Sequence, residues 1–262
     1  LASVVLPGDQ VSPARPLPAH PARPARPGPA MVAQRAAGTA LPARSHIPDG
    51  DTSVRIAFLA CPTTLPGSPS RRPDAFEHDL LFAALETGLA GRAELTAIDW
   101  RAPLAELTAF DLAYLGTPWD YTEAKDEFLM RLAALEAAGV IVCNPVEVIR
   151  WNADKLYLRE LEQRGAPSIP TLWPECAGPD EVRAAFDQFS CERVVVKRRV
   201  GAGAIGQDSF TRAKPPSAGW RIDQPAMIQP FLPSVSGEGE ISLLFFDGVF
   251  SHAIGKVAKA GD

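Results

Sequence analysis

One segment constrains the fold of this 262-residue chain more than any other: Val194 to Gly206, VVVKRRVGAGAIG. Val194, Val195 and Val196 form a β-branched run of the kind that makes a buried strand. Lys197 stands at its end, where a charge can leave a sheet and meet a ligand. Gly201, Gly203 and Gly206 follow, and glycines let a backbone approach a bulky anion closely and present N–H groups to it. A cation beside such a loop suits phosphate binding. A glycine-rich surface turn between two strands is the competing reading.

Three known glycine-loop patterns can be compared with it. The spacing Gly201-x-Gly203-x-x-Gly206 matches the dinucleotide fingerprint, which must open a helix. Gln207 to Trp220 carries Pro215-Pro216 and no apolar period of 3.6, so no helix is expected there. A Walker loop ends in Gly-Lys-Ser/Thr, whereas this one runs Gly206-Gln207-Asp208. In protein kinases the glycine loop precedes the strand lysine, and here the lysine comes first. Strand, lysine, glycine loop and short strand remain: a hairpin lid over phosphates, or a plain turn.

Composition narrows the setting. Hydrophobic residues make up 46% of the chain, mean hydropathy is near zero and the formal net charge is -5. That balance gives no reason to expect nucleic acid, and no apolar run reaches the roughly 20 residues of a membrane helix. Cys61, Cys143, Cys176 and Cys191 lie far apart, with no C-x-x-C and no clustered histidines. The expectation is therefore no metal site of this type and no disulfide framework, but small buried thiols in a reducing cytoplasm.

Three regions are expected. Residues 1–50 hold ten of the 26 prolines, and five arginines against Asp9 and Asp49. Such a stretch cannot bury enough apolar surface to offset the entropy of ordering, so it reads as a disordered leader. Residues 51–145 alternate strands (54–60, 95–100, 110–116, 140–144) with helices (75–89, 123–138). That alternation predicts a small doubly wound α/β domain with a parallel sheet. The inward face of the first helix is read as Phe76, Leu80, Leu81, Ala84 and Leu85, that of the second as Phe128, Leu132 and Leu135. Ligands of such sheets often bind at the carboxyl ends of strands, which makes Trp119, Asp120 and Tyr121 candidate contacts, with packing of the domain the competing reading for Trp119 and Tyr121. Residues 146–262 form the third region. It is read as a helix over 146–164 carrying Asn152 and Lys155, a helix over 181–189, the glycine-loop strands, a strand at 226–229, and a hairpin 241–256 turning at Asp247-Gly248.

Taken in order, these pieces resemble the ATP-grasp superfamily, in particular its glutathione-synthetase-like and ribosomal-protein glutamate-ligase-like branches. Asn152-x-x-Lys155, the stop at Gly165 and Ile169-Pro170-Thr171 look like the family's entry segment. Val194–Lys197 with its loop looks like the phosphate lid, Gln229-Pro230-Phe231-Leu232 like the adenine hinge, and Gly239-Glu240-Ile241-Ser242 like the strand that meets ribose. The resemblance implies an α/β small domain followed by an α+β ATP-grasp domain. It implies that Lys155 and Lys197 contact ATP phosphates, that Gly201, Gly203 and Gly206 close over them, and that Gln229, Phe231 and Leu232 hold adenine. Glu240, rather than Glu238, would bind the ribose hydroxyls. Lys256 would face the phosphates or an acyl-phosphate as a catalytic cation, or else serve as an edge charge. The implied chemistry is an ATP- and Mg²⁺-dependent carboxylate–amine ligase acting through an acyl-phosphate on small molecules, and proteins of this look are commonly homodimers.

The resemblance also places magnesium ligands on strands beyond Asp262, so no metal ligand is assigned, and the chain reads as an incomplete ligase with its last hairpin uncovered. A nucleotide-binding regulatory module without chemistry is the alternative, and a dinucleotide-dependent oxidoreductase a distant one.

Overall fold

A computed structural model of the chain describes residues 53–201, 206–246 and 249–256. The expected leader, Gly203, the Asp247-Gly248 turn and the final VAKAGD stretch lie outside the described residues.

The alternating pattern gives β1 (Val54–Ala60), α1 (Phe76–Leu89), β2 (Ala93–Asp99), α2 (Leu104–Leu107), β3 (Leu112–Thr117), α3 (Lys125–Ala137) and β4 (Ile141–Cys143). All four strands are parallel, in the order β2-β1-β3-β4. β1 is central, and its Phe58, Leu59 and Ala60 are fully buried, as a strand covered on both faces requires. One face packs Trp100, Phe128, Leu132, Leu135 and Val142 into a single cluster, with the Trp100 and Phe128 rings edge-on at 5.1 Å. Gly116 on β3 is fixed by space: a Cβ there would lie 2.1 Å from the Phe58 ring.

The expected face of α1 is corrected. Phe76 and Leu80 are exposed, and the helix turns His78 inward with Leu81, Phe82 and Leu85 half-buried behind it. Apolar residues surround this helix, so periodicity alone leaves its orientation open. A buried polar bond decides it: His78 Nδ1 lies 2.7 Å from Thr117 Oγ1, which donates to Thr64 Oγ1 at 3.1 Å. Burial lowers the imidazole pKa and favours the neutral ring. The network ties α1 to the carboxyl ends of β1 and β3.

The later part comprises α4 (Val146–Asn152), α5 (Tyr157–Gln163), α6 (Pro179–Gln188), β5 (Arg193–Arg198), β6 (Gln207–Thr211), β7 (Ala226–Pro230), α7 (Pro233–Gly237), β8 (Glu240–Phe246) and β9 (Val249–Lys256). A three-stranded antiparallel sheet runs β6-β5-β7. The alternation of β5 sets its two faces. Val194 and Val196 are buried in a second cluster with Val182, Ala185 and Phe186 of α6 and Ala226 and Ile228 of β7. Arg193, Val195 and Lys197 therefore point to the opposite face. Residues Gln207–Thr211 are a strand, so the glycine loop opens no helix and the dinucleotide reading fails on structure as it does on sequence.

β8 and β9 form a separate antiparallel pair, with Ile241, Leu243, Phe245 and Phe250 exposed. No helix among the described residues is long and apolar enough to cross a membrane.

Candidate functional site

The site is assembled around the end of β5 by contacts between segments remote in sequence. Lys197 leaves the sheet on the face away from α6, where its Nζ lies 3.5 Å from Gln229 Oε1 on neighbouring β7. The buried Gln229 side chain is also bound at its other end: Nε2 donates to Thr171 Oγ1 at 2.9 Å, and Thr171 donates to Ile169 C=O at 2.7 Å.

Lys155 arrives by a route the sequence pattern hid. The continuous helix expected over 146–164 is broken between Asn152 and Tyr157, and Lys155 sits in the break. Asp154 explains it. Its Oδ1 accepts the N–H of Leu156, two residues on, at 3.0 Å, a local bond that competes with helical pairing. Both its oxygens take the Arg199 guanidinium at 2.9 and 2.7 Å. Arg199 also lies 3.6 Å from Glu175. The Lys155 N–H then donates to Arg199 C=O at 3.1 Å. Its ammonium donates to Gly201 C=O at 2.5 Å and more weakly to Arg199 C=O at 3.4 Å. Lys155 thus holds the first residues of the glycine loop.

The electrostatics follow from burial. Desolvation pushes the Lys155 ammonium below the usual lysine range, the charge of Lys197 pushes it further, and Asp154 opposes both. Desolvation likewise lowers Lys197, with Glu240 working against it. Neither ammonium forms an ion pair among the described residues, so two half-buried cations share a site with only amide and carbonyl oxygens as partners. Asp154 behaves oppositely. Burial works to raise its pKa, but the Arg199 and Leu156 hydrogen bonds with the charges of Arg199 and Lys125 hold the carboxyl below its usual range. Asn152 adds a buried Oδ1 with no partner among the described residues.

The remaining predicted residues fall along the same open face. The Phe231 N–H closes the β5–β7 ladder on Arg193 C=O at 2.9 Å, and the Arg193 guanidinium lies 3.9 Å from the centre of the Phe231 ring. Arg193 Nε in turn donates to Ser209 Oγ at 2.8 Å. Leu232 is half-buried before α7 and accepts the Val235 N–H at 3.1 Å. Gly206 adopts φ +68°, the left-handed region glycine tolerates, beside Arg198. Arg198 reaches back to Glu123 at 3.3 Å. Glu240 is exposed at the start of β8, opposite Lys256 in the hairpin register. Gly203 and the side chain of Lys256 lie outside what is described.

The structure therefore brings together Lys155, Lys197, Gly201 and Gln229, with Glu240 close enough to act on Lys197. Phe231 and Leu232 lie towards the far end of β7. Sequence reasoning missed Asp154, Arg199 and the role of Thr171. Asp154 beside one lysine and Arg199 two residues from the other was the available signal for an ion pair between the two segments.

The first-domain candidates are occupied by packing. Tyr121 is buried against Phe128, Asp120 accepts from Trp100 Nε1 at 2.8 Å and from Arg101, and Trp119 lies under Arg72 at 5.4 Å. Among the described residues no group of three or more His, Cys, Asp or Glu side chains converges as a metal site would require.

Known proteins resemble the chain in both its parts. The family described as D-cycloserine synthetase DcsG, N-terminal domain, matches residues 56–144. The cycloserine biosynthesis protein DcsG of Streptomyces lavendulae is 29% identical over 170 residues, covering 61% of this chain and 56% of that protein. The chain thus spans little more than half the length of that relative. The crystal structure of D-cycloserine synthetase DcsG aligns with TM-score 0.63 at 23% identity, over 78% of this chain and 68% of that one. D-alanyl-alanine synthetase A from Vibrio cholerae O1 biovar eltor str. N16961 aligns with TM-score 0.53 at 12% identity, over 81% and 69%. The fold is that of the ATP-grasp proteins.

Proposed function

We propose that this chain, with its ATP-grasp fold, binds ATP at Lys155 and Lys197 and belongs to an ATP-dependent ligase that joins a carboxylate to an amine. The observation that carries the reading is the pair of half-buried ammonium groups at the base of the glycine loop, near enough for the charge of Lys197 to lower the Lys155 pKa, without a carboxylate ion pair among the described residues. Two desolvated like charges are unfavourable unless an anion joins them, and a polyphosphate answers that need.

When bound, ATP supplies a γ-phosphoryl group that activates the carboxylate as an acyl-phosphate, which the amine attacks to form an amide with release of phosphate. The residues of this chain bind and orient. Lys197 and Lys155 neutralise phosphate oxygens. Lys155 exchanges its Gly201 carbonyl partner for phosphate, freeing Gly201–Gly206 to close and exclude water from an acyl-phosphate. Val195, Phe231 and Leu232 offer apolar walls to the base, and Glu240 an acceptor for the ribose hydroxyls. Lys256, opposite Glu240, is proposed as the further cation at the transferring phosphoryl group. Magnesium is proposed as the companion of ATP, as is usual for this chemistry. The described residues offer it no converging ligand set, and no step here depends on it. The names of the similar enzymes, D-cycloserine synthetase and D-alanyl-alanine synthetase, support small amino-acid-like substrates.

Thermal unfolding of the full chain with ATP and Mg²⁺ tests the reading. Ligand at about 100 times its Kd should raise Tm by about 5 °C or more, because binding to the native state stabilises by mass action. Adenosine should give a much smaller shift, and Lys155→Ala should lose most of the ATP effect. Equal shifts from ATP and adenosine would contradict a phosphate-centred site.

A further inference from the structure

We infer that Thr171 and Gln229 are positioning residues for Lys197, forming a one-way hydrogen-bond chain that fixes where its ammonium can sit. The inference rests on the nucleotide reading above and assigns a role to the Ile169-Pro170-Thr171 segment.

The chain's direction is set by chemistry. The lysine ammonium can only donate, so the Gln229 atom facing it must be Oε1. The single Thr171 proton is used on Ile169 C=O at 2.7 Å, so Thr171 Oγ1 must accept from whatever faces it. Only the amide NH₂ of Gln229 can supply that donor, and it does so at 2.9 Å. The order Lys197 → Gln229 → Thr171 → Ile169 is thus fixed by its two ends. Gln229 is 6% exposed, so its amide has little water to turn to. The bond Gln229 offers is also the one hydrogen bond that Lys197 makes among the described residues, and at 3.5 Å it is weak enough to yield to a phosphate oxygen. A glutamate at 229 would leave two acceptors facing each other at Thr171 and would neutralise Lys197. A leucine would leave the ammonium without its acceptor and the Thr171 oxygen without its donor. The device therefore orients the cation while leaving its charge uncompensated.

The test uses Thr171→Val, which removes the hydroxyl at nearly constant shape, and Thr171→Ser, which restores it. Equilibrium binding of a fluorescent ATP analogue is competed with inorganic tripolyphosphate and, separately, with adenosine. The valine variant should bind the analogue and tripolyphosphate about tenfold more weakly, the loss expected when a bond orienting a charged group goes. Adenosine should compete within about twofold of wild type, and the serine variant should recover. A valine variant that binds all three like wild type, or loses all three equally, would overturn the positioning role.

A second readout needs no nucleotide. The rate of Lys197 acylation, followed by mass spectrometry, should rise in the valine variant, because an ammonium without a fixed acceptor gives up its proton more readily. Wild-type protein that binds no ATP, together with this rise, would locate the failure in the nucleotide reading. An unchanged rate would overturn the hydrogen-bond chain itself.

Discussion

Replacing Asp154 by Asn should destabilise the protein at neutral pH and hardly at all in acid. The side chains of Arg199 and Asp154 keep only 13% and 21% of their surface exposed, and two charge-assisted hydrogen bonds join them. Hydrogen bonds to charged groups contribute about 1.5–3 kcal/mol. Removing one partner of a fully buried pair costs about 3–5 kcal/mol. Asparagine keeps one acceptor for Arg199 and the bond from Leu156, so the lower end applies, about 2 kcal/mol. With a urea m-value of about 2 kcal/mol/M, the unfolding midpoint should fall by roughly 1 M at pH 7. The pH dependence has a definite sign. The folded-state pKa of Asp154 is depressed, so its contribution is complete above the unfolded value near 4 and is lost as pH falls through the lower folded value. The gap between variant and wild type should therefore close as the pH is lowered from about 5 towards 2. A gap that is absent at pH 7, or equally wide in acid, would refute the pairing as the anchor of this segment.

The two lysines predict a slope of the same sign at the alkaline end of the pH range. Burial lowers both, and the charge of Lys197 lowers Lys155 further, so in the window below the ordinary lysine pKa the unfolded chain holds more protons and stability rises with pH. ATP affinity should fall in that same window as the ammoniums are lost. Binding there should take up protons, measurable by calorimetry in buffers of differing ionisation enthalpy; proton release would contradict the site. Gly116→Ala should cost about 1–3 kcal/mol, read by thermal unfolding, because its Cβ would strike the Phe58 ring in a packed core. Phe128→Ala should cost about 3–5 kcal/mol by the same measurement, since the ring is fully buried between Trp100 and Tyr121.

Elements with a clean period were legible in the sequence. β1 and β5 are short β-branched or apolar runs, and α3 carries Phe128, Leu132 and Leu135 on a single stripe; all three formed as read. The face of α1 was not legible, because a buried histidine bonded to Thr117 outweighs exposed Phe76 and Leu80. The break at Lys155 was hidden because it depends on Arg199, 45 residues away. Asp154 is an indifferent helix former, but only its distant partner turns that weakness into a break. At the site, lysines and glycines announced themselves by residue type. Gln229 was read only as part of the adenine-holding segment, since nothing in IQPFLP shows that its amide turns inward between Lys197 and Thr171. The short helix α7 had no sequence signal beyond Pro233 at its start.

Calorimetric titration of ATP into the full chain, beside Lys197→Met, tests the central claim most directly. Methionine retains the length of the apolar stem and removes the ammonium. The account predicts saturable binding to the wild-type chain, at least about tenfold weaker in the variant, with the fold intact by circular dichroism. ATP binding of equal strength in both proteins would contradict it.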